Sequence, residues 1–313
     1  MSPMGRRRSL LLLALPALAL AAGARAEDTV ESYDTLYNNL TVEQRGSVVE
    51  LRARSRRGVF LESAVDLSDP LKLVVPYTRT LYAALFFQPK PERVLMIGLG
   101  GAGFHRLFAA SYPGALLQTV ELDPKVLELC QTRLGFKPTG RTPVTIMDGR
   151  LFVKRNREKW DWIILDAFRG GYVPPHLKTA EFYRECAARL GEHGVFVSNL
   201  HSGTELYYSD LRTIHEVFPQ MVLFSTAGTG NVIACAVNYR TPVITDPSAW
   251  PSPEKLGRPL AGRVDMDAIL FEHSEPPFAE MDRASVLTDD FSPVEFLDAI
   301  KVRDTTELGV PPH

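Results

Sequence analysis

Cysteine is scarce in this chain, with three thiols in 313 residues. Cys130, Cys186 and Cys235 each sit in an apolar pattern, and none belongs to a Cys-x-x-Cys or Cys/His spacing. That excludes a disulfide-framed scaffold and offers no metal signature; the three are expected as buried hydrophobes, with room for at most one disulfide. Neither sign of charge dominates, since 35 Lys and Arg stand against 37 Asp and Glu, for a net charge of −2 and a pI near 6.4. A polyanion binder shows a basic face or stripe, so nucleic acid is not an expected partner. Internal repeats and low-complexity tracts are missing too, which leaves an ordinary globular chain with enough apolar residues for one large core or two unequal ones.

The start of the chain does not belong to that core. Arg6-Arg7-Arg8 precede an apolar run over 10–22, and Ala24-Arg25-Ala26 closes it with small residues where a signal peptidase reads, so 1–26 is expected to be a cleavable export signal. A bilayer needs roughly 20 apolar residues. The run falls short, so no stable membrane span is expected once the signal is cleaved. Arg7-Arg8-Ser9-Leu10-Leu11 also resembles a twin-arginine signal, the route for folded cargo, and the expected location is the periplasm.

Strand-forming residues at 35–42, 47–54 and 60–65 are separated by turns at Gly46 and Gly58, which predicts a small antiparallel β domain over 27–75. A helix is expected over 77–87, stopped by Pro89 and Pro91. From Arg93 strands and helices alternate, the pattern of a mostly parallel sheet covered on both faces. Strands at 94–98, 117–121, 144–147, 162–165, 194–200, 221–225 and 231–237 make a seven-strand sheet, its last two joined as an antiparallel hairpin by Gly228-Thr229-Gly230. This α/β domain covers 76–240. The remainder, 241–313, reads as a Pro- and Ser-rich linker followed by a helical segment.

The chain is organised around Val94-Leu95-Met96-Ile97-Gly98-Leu99-Gly100-Gly101-Ala102-Gly103. A buried strand runs into glycines that turn tightly and let backbone approach a ligand, and Gly98-x-Gly100-x-x-Gly103 has nucleotide-cradle spacing. Glu121 follows about twenty residues on, placed to accept two ribose hydroxyls. Ligands of such sheets bind beyond the carboxyl ends of the strands. Here the first four strands end in Gly98, Glu121, Asp148-Gly149 and Asp166. A row of carboxylates repels phosphates and attracts a cation, by roughly 4 kcal/mol per pair at about 4 Å and an effective dielectric near 20. A nicotinamide dinucleotide therefore suits the edge poorly, and a positively charged sulfonium nucleoside suits it well.

Ile97-Gly98-Leu99-Gly100-Gly101-Ala102-Gly103, Val120-Glu121-Leu122-Asp123-Pro124, Met147-Asp148-Gly149, Ile164-Leu165-Asp166 and Glu181-Phe182-Tyr183, taken in order, resemble the spermidine synthase (polyamine aminopropyltransferase) family, in a divergent branch. The resemblance implies a class I methyltransferase-like, Rossmann-like α/β fold behind a small N-terminal β domain. It further implies decarboxylated S-adenosylmethionine or S-adenosylmethionine as co-substrate without a metal, a small amine or amino-acid acceptor, and a homodimer. Gly98, Gly100, Gly101 and Gly149 would line the nucleoside, Glu121 would hold the ribose, Asp148 the adenine amino group, and Asp166 would be the general base beside Tyr77.

The departures from the family pattern bear on the acceptor. The glycine-loop aspartate is replaced by Gly101 or Ala102, Asp166-Ala167-Phe168-Arg169 ends in a cation where a second aspartate is usual, and Tyr77-Thr78-Arg79 has an arginine in place of an acid. Arg79 and Arg169 at the substrate side imply a carboxylate-bearing acceptor, an altered ligand, or lost activity. Asp289, Asp290 and Glu295 are the candidates for restoring negative charge. His105 and His201 are read as structural. A methyltransferase on the same scaffold and an exported, non-catalytic nucleoside- or polyamine-binding protein are the alternative functions.

Overall fold

A computed structural model describes residues 29–55, 58–240 and 244–294. The export signal expected over 1–26 lies outside them. The first four strands, β1 (Thr29–Asp34), β2 (Asn39–Arg45), β3 (Val48–Ser55) and β4 (Gly58–Asp66), form an antiparallel sheet in that order. Its first strand, Thr-Val-Glu-Ser-Tyr-Asp, is a half-exposed edge whose polar alternation carries little strand signal. The sheet does not stand alone. Leu40, Val42, Val49, Leu51, Ala53 and Val65 pack in one cluster with Leu99, Ala102, Val126 and Leu129 of the following domain, so its apolar face is buried on the glycine turn.

The helix expected over 77–87 is one turn of α1 (Tyr77–Thr80) followed by a 3₁₀ segment, Leu81–Phe86. All six residues of that segment are buried. With no solvent side there is no apolar stripe to specify a period of 3.6, and packing against the sheet sets the winding. Beyond it come β5 (Arg93–Ile97), α2 (Gly103–Ser111), β6 (Leu116–Glu121), α3 (Pro124–Thr132), β7 (Val144–Ile146), α4 (Gly149–Arg155), β8 (Trp160–Leu165), α5 (Ala180–Ala187), β9 (Leu190–His201), α6 (Tyr207–Val217), β10 (Gln220–Ser225) and β11 (Asn231–Val237). After α7 (Pro253–Gly257) and α8 (Met266–Phe271), a two-residue strand β12 (His273–Ser274) precedes α9 (Phe278–Met281).

The second sheet has the order β12-β10-β11-β9-β8-β5-β6-β7. The strands from β7 to β9 are parallel, and β11, β10 and β12 continue the sheet antiparallel. The sheet therefore has eight strands, one more than the seven expected. The extra edge strand pairs Phe224 with His273 and Leu223 with Ser274; two residues are too few to show a period. One face of the sheet buries Val94, Met96, Trp162 and Ile164, and the other Leu95, Ile97, Ile163 and Leu165. Leu256, Leu260, Val264 and Met266 join the first face, so the segment after 244 is packed structure rather than a free linker.

Helix starts follow the sequence closely. Asp123 caps α3 through Lys125 N and Thr179 caps α5 through Phe182 N; each satisfies a backbone donor that the first turn leaves orphaned. All three cysteines are buried free thiols, with no disulfide between them. No described helix is long and apolar enough to cross a membrane.

Candidate functional site

A cavity of ≈ 100 Å³ opens beyond the carboxyl ends of β5, β6 and β8 and extends under the N-terminal sheet. Gly98, Gly100, Glu121, Asp148, Gly149, Asp166, Tyr77 and Arg169 all line it. The floor depends on Gly98, which has φ +105°. A Cβ there would stand 2.0 Å from the Asp166 carbonyl oxygen, so the ends of β5 and β8 approach this closely only with glycine between them. The loop is held from behind: Cys130 Sγ donates to Gly100 O at 2.9 Å and Arg106 Nη1 donates to Gly101 O at 2.8 Å.

Each carboxylate has distinct partners. Glu121 accepts from Leu99 N at 3.1 Å and Asp123 N at 2.8 Å. Burial raises its pKa and those backbone donors moderate the rise; the carboxyl oxygens have further lone pairs for hydroxyl groups. Asp148 caps α4 through Leu151 N at 2.8 Å and pairs with His176 Nε2 at 2.8 Å. That histidine contact is the main cause holding its carboxyl below the ordinary range. Asp166 accepts from Asn199 Nδ2 at 3.0 Å and from the Tyr77 hydroxyl at 3.2 Å. Burial raises its pKa, and these two donors moderate the rise.

Two expected site residues stand elsewhere. A Cβ on Gly101 would meet Ser63 Oγ at 2.4 Å and Leu134 Cδ2 at 2.9 Å, so this glycine permits close packing of the turn on β4 rather than facing a nucleoside. Arg79 is exposed and donates through Nε and Nη2 to Leu73 O at 3.2 and 2.8 Å, turned from the cavity by the carbonyl it caps. Arg169 does reach the rim, where its Nε donates to Tyr37 O at 2.7 Å. Asp289 spends its charge on Arg150, at 2.6 and 2.7 Å, and also accepts from Thr179; Asp290 is exposed, and Glu295 lies outside the described residues. His105 is buried against Thr119 Oγ1 at 2.7 Å, its pKa pushed down to about 3 by burial. His201 accepts from Gly203 N in a turn after β9.

The residues that sequence reasoning missed are Glu62 and His176. Across β3 and β4, Leu51 faces Ser63 and Arg52 faces Leu61, so Glu62 is the extra residue of a bulge. A bulge re-aims a side chain, and Glu62 lines the cavity from above. Its Oε1 accepts from Gly170 N at 3.1 Å. Burial, with Asp166 and Glu121 adding repulsion, pushes its pKa up to about 8. The one hint in the chain is a broken alternation at Leu61-Glu62-Ser63-Ala64. His176 carries no comparable signal, since its pairing with Asp148 joins α4 to a short 3₁₀ turn.

The Glu62 shift has a consequence for stability. The folded form holds a proton that the unfolded chain has already released above its ordinary glutamate pKa, so folding loses stability as pH rises toward about 8. Asp166 and Glu121, both raised, act in the same direction. Glu62→Gln is expected to flatten the fall in melting temperature of the ligand-free protein between pH 5 and 8; parallel curves for wild type and variant would contradict the assignment.

Among the described residues no group of three or more His, Cys, Asp or Glu could hold a metal ion. A family model described as the spermine/spermidine synthase domain matches residues 76–227. The chain is 31% identical over 298 residues to a polyamine aminopropyltransferase of Vibrio vulnificus, covering 92% of this chain and 97% of that one. A probable spermidine synthase from Corynebacterium glutamicum has the same fold at a TM-score of 0.66 and 20% identity, covering 85% of this chain and 98% of that one. The spermidine synthase of Thermotoga maritima follows with a TM-score of 0.61 and 22% identity, over 81% and 88% of the two chains. The similarity to the Vibrio vulnificus transferase spans nearly the whole of both chains, and on that ground the chain belongs to the spermidine synthase (polyamine aminopropyltransferase) family of transferases.

Proposed function

We propose that this protein moves an aminopropyl or related group from a sulfonium nucleoside, such as decarboxylated S-adenosylmethionine, to a small amine, releasing methylthioadenosine. The observation that carries the reading is the Asp166 carboxylate, oriented by Tyr77 and Asn199 at the floor of a cleft whose other acids are Glu62, Glu121 and Asp148. The acids stabilise a sulfonium cation, and Glu121 and Asp148 suit ribose hydroxyls and an adenine amino group. Asp166 takes a proton from the acceptor ammonium. The freed nitrogen lone pair then forms a bond to the carbon beside sulfur, the carbon–sulfur bond breaks, and its electrons leave sulfur as a neutral thioether. A carboxyl raised by burial binds that proton more firmly than an exposed aspartate would.

The two arginines that argued for an anionic acceptor lose most of their force. Arg79 caps Leu73 O, and the Arg169 Nε at the rim is engaged by Tyr37 O. The test is incubation of purified protein with decarboxylated or intact S-adenosylmethionine and mixed amines, read by mass spectrometry. Methylthioadenosine is the expected product. S-adenosylhomocysteine would replace this reading with methylation, and tight binding with neither product would replace it with a binding protein.

The location proposed is the periplasm, reached through the N-terminal signal. Fractionation of cells expressing the full chain should give a periplasmic protein starting at Glu27; a cytoplasmic protein that keeps Met1 would reject it. A homodimer is proposed from family membership, and light scattering at the mass of one chain would reject that.

A further inference from the structure

Arg150 is 8% exposed, and each of the five N–H donors of its guanidinium is used. Nε and Nη2 donate to the two oxygens of Glu185, both at 2.9 Å, and Nη1 and Nη2 donate to the two of Asp289, at 2.6 and 2.7 Å. The fifth donor, on Nη1, goes to the backbone oxygen of His176 at 3.3 Å. Both carboxylate pairings are forks that a planar guanidinium makes and an ammonium does not. A buried ion cluster adds little net stability over an apolar replacement. What this one does is join α4, α5, the 3₁₀ turn at His176 and a carboxylate 139 residues further along the chain.

Asp289 arrives from a fixed position. It belongs to a turn over 287–291, closed by Thr288 N donating to Phe291 O at 2.9 Å and Phe291 N to Thr288 O at 3.1 Å. Leu287 is fully buried; its N donates to Thr213 Oγ1 at 2.8 Å and its O accepts from Ala180 N at 2.9 Å. Asp289 N donates to Glu181 Oε2 at 3.1 Å, and Thr179 Oγ1 donates to Asp289 Oδ1 at 2.8 Å. The turn is thus seated on the start of α5 through contacts that do not involve Arg150.

His176 and Asp148 line the nucleoside cavity, whereas Arg150 and Asp289 stand behind it. Asp148 Oδ1 accepts from Leu151 N and Oδ2 from His176 Nε2, both at 2.8 Å. Two donors therefore orient the carboxylate, and each oxygen keeps a lone pair for a donor on the base. The His176 side chain is 44% exposed, so packing alone does not fix it. The bond from Arg150 holds the backbone from which it reaches Asp148.

We infer that Asp289 and Arg150 are positioning residues of the nucleoside site: the turn over 287–291 holds Arg150, Arg150 holds the His176 turn, and His176 keeps the Asp148 carboxylate aimed at the amino group of a 6-aminopurine. The inference rests on the nucleoside reading above and adds the part of the chain that sets base recognition. It places the work of Leu287-Thr288-Asp289 at the base end of the cleft.

The test is calorimetry on the full chain with methylthioadenosine and with methylthioinosine, whose base presents a carbonyl in place of the amino group. Wild type should bind the amino base about 10- to 100-fold more tightly, the range of one charge-assisted hydrogen bond. His176→Ala should weaken methylthioadenosine about tenfold and leave methylthioinosine unchanged, and Asp289→Asn should do the same about fivefold. In the double variant Asp289→Asn should cost nothing beyond His176→Ala, because it acts through that side chain. KM for the nucleoside donor should rise in step, with kcat at saturation changed less than twofold. If Asp289→Asn melts early, Asp289→Glu, which keeps the charge but displaces Arg150, is read in its place with the same expectation. Equal losses for both nucleosides, or additive losses in the double variant, would make the cluster merely structural and overturn the inference while the nucleoside reading stands. Wild-type protein that gives no heat with either compound would overturn the nucleoside reading, and the inference with it.

Discussion

Asp166→Asn should lower kcat by about a thousandfold, within the range general-base groups contribute, while the protein stays folded. The amide keeps the shape of the carboxylate. Its oxygen still accepts from Asn199 Nδ2, and its amino group can donate to the Tyr77 oxygen, which at present donates to Asp166 at 3.2 Å. Removing one charge from a cleft shared with Glu62 and Glu121 relieves repulsion that now adds to the rise of Glu62 to about 8. The melting temperature of the variant should therefore equal or exceed that of the wild type at pH 8. Single-turnover release of methylthioadenosine, measured beside thermal melting, separates the two effects: a variant that melts normally and still turns over at the wild-type rate would remove Asp166 from the chemistry. The same base predicts that kcat falls as pH drops through the raised carboxyl pKa, because only the ionised form can take the acceptor's proton.

Gly98→Ala should be as damaging to the fold as Asp166→Asn is to the reaction. The backbone at φ +105° is strained for any residue with a Cβ, and that Cβ would sit 2.0 Å from the Asp166 carbonyl oxygen. Strain of about 1–3 kcal/mol adds to an overpacking cost of about 1–3 kcal/mol. Together they are a large part of the 5–15 kcal/mol typical of a native protein. Asp166 N also donates to Ile97 O at 2.9 Å, so parting the strand ends moves the base and the nucleoside floor at once. Gly103→Ala is the contrast. Its Cβ would meet only Leu73 Cδ2, at 3.9 Å, and it opens α2, where alanine is the better helix former by about 1 kcal/mol. Urea unfolding of the two variants should show a large loss at 98 and none at 103. A well-folded Gly98→Ala that binds nucleoside normally would contradict the geometry.

That contrast shows how much of a glycine motif can be read without coordinates. The spacing of Gly98, Gly100 and Gly103 marks a strand, a tight turn and a helix, but it treats the three alike. Only the packing distinguishes a glycine crossed by a neighbouring carbonyl from one with room to spare, and it turns Gly101 toward Ser63 on another sheet. Arg79 is a similar case. Its place after Tyr77 reads as substrate-facing, and a carbonyl six residues back captures it.

What the chain alone determined is what local chemistry controls: the alternation of strand and helix from Arg93 onward, the cap at Asp123, and the row of acids at successive strand ends. Strand period, turn residues and capping act over a few positions, so they are written in consecutive residues. What tertiary structure alone decided is the wall of the cleft around Asp166. Glu62 enters through a register shift between β3 and β4, and Asn231 reaches Asp166 through Asn199 on the neighbouring strand. Both depend on which strands lie side by side and where their ladders slip, and residues far apart in the chain meet there because burial of the sheet faces brings them together.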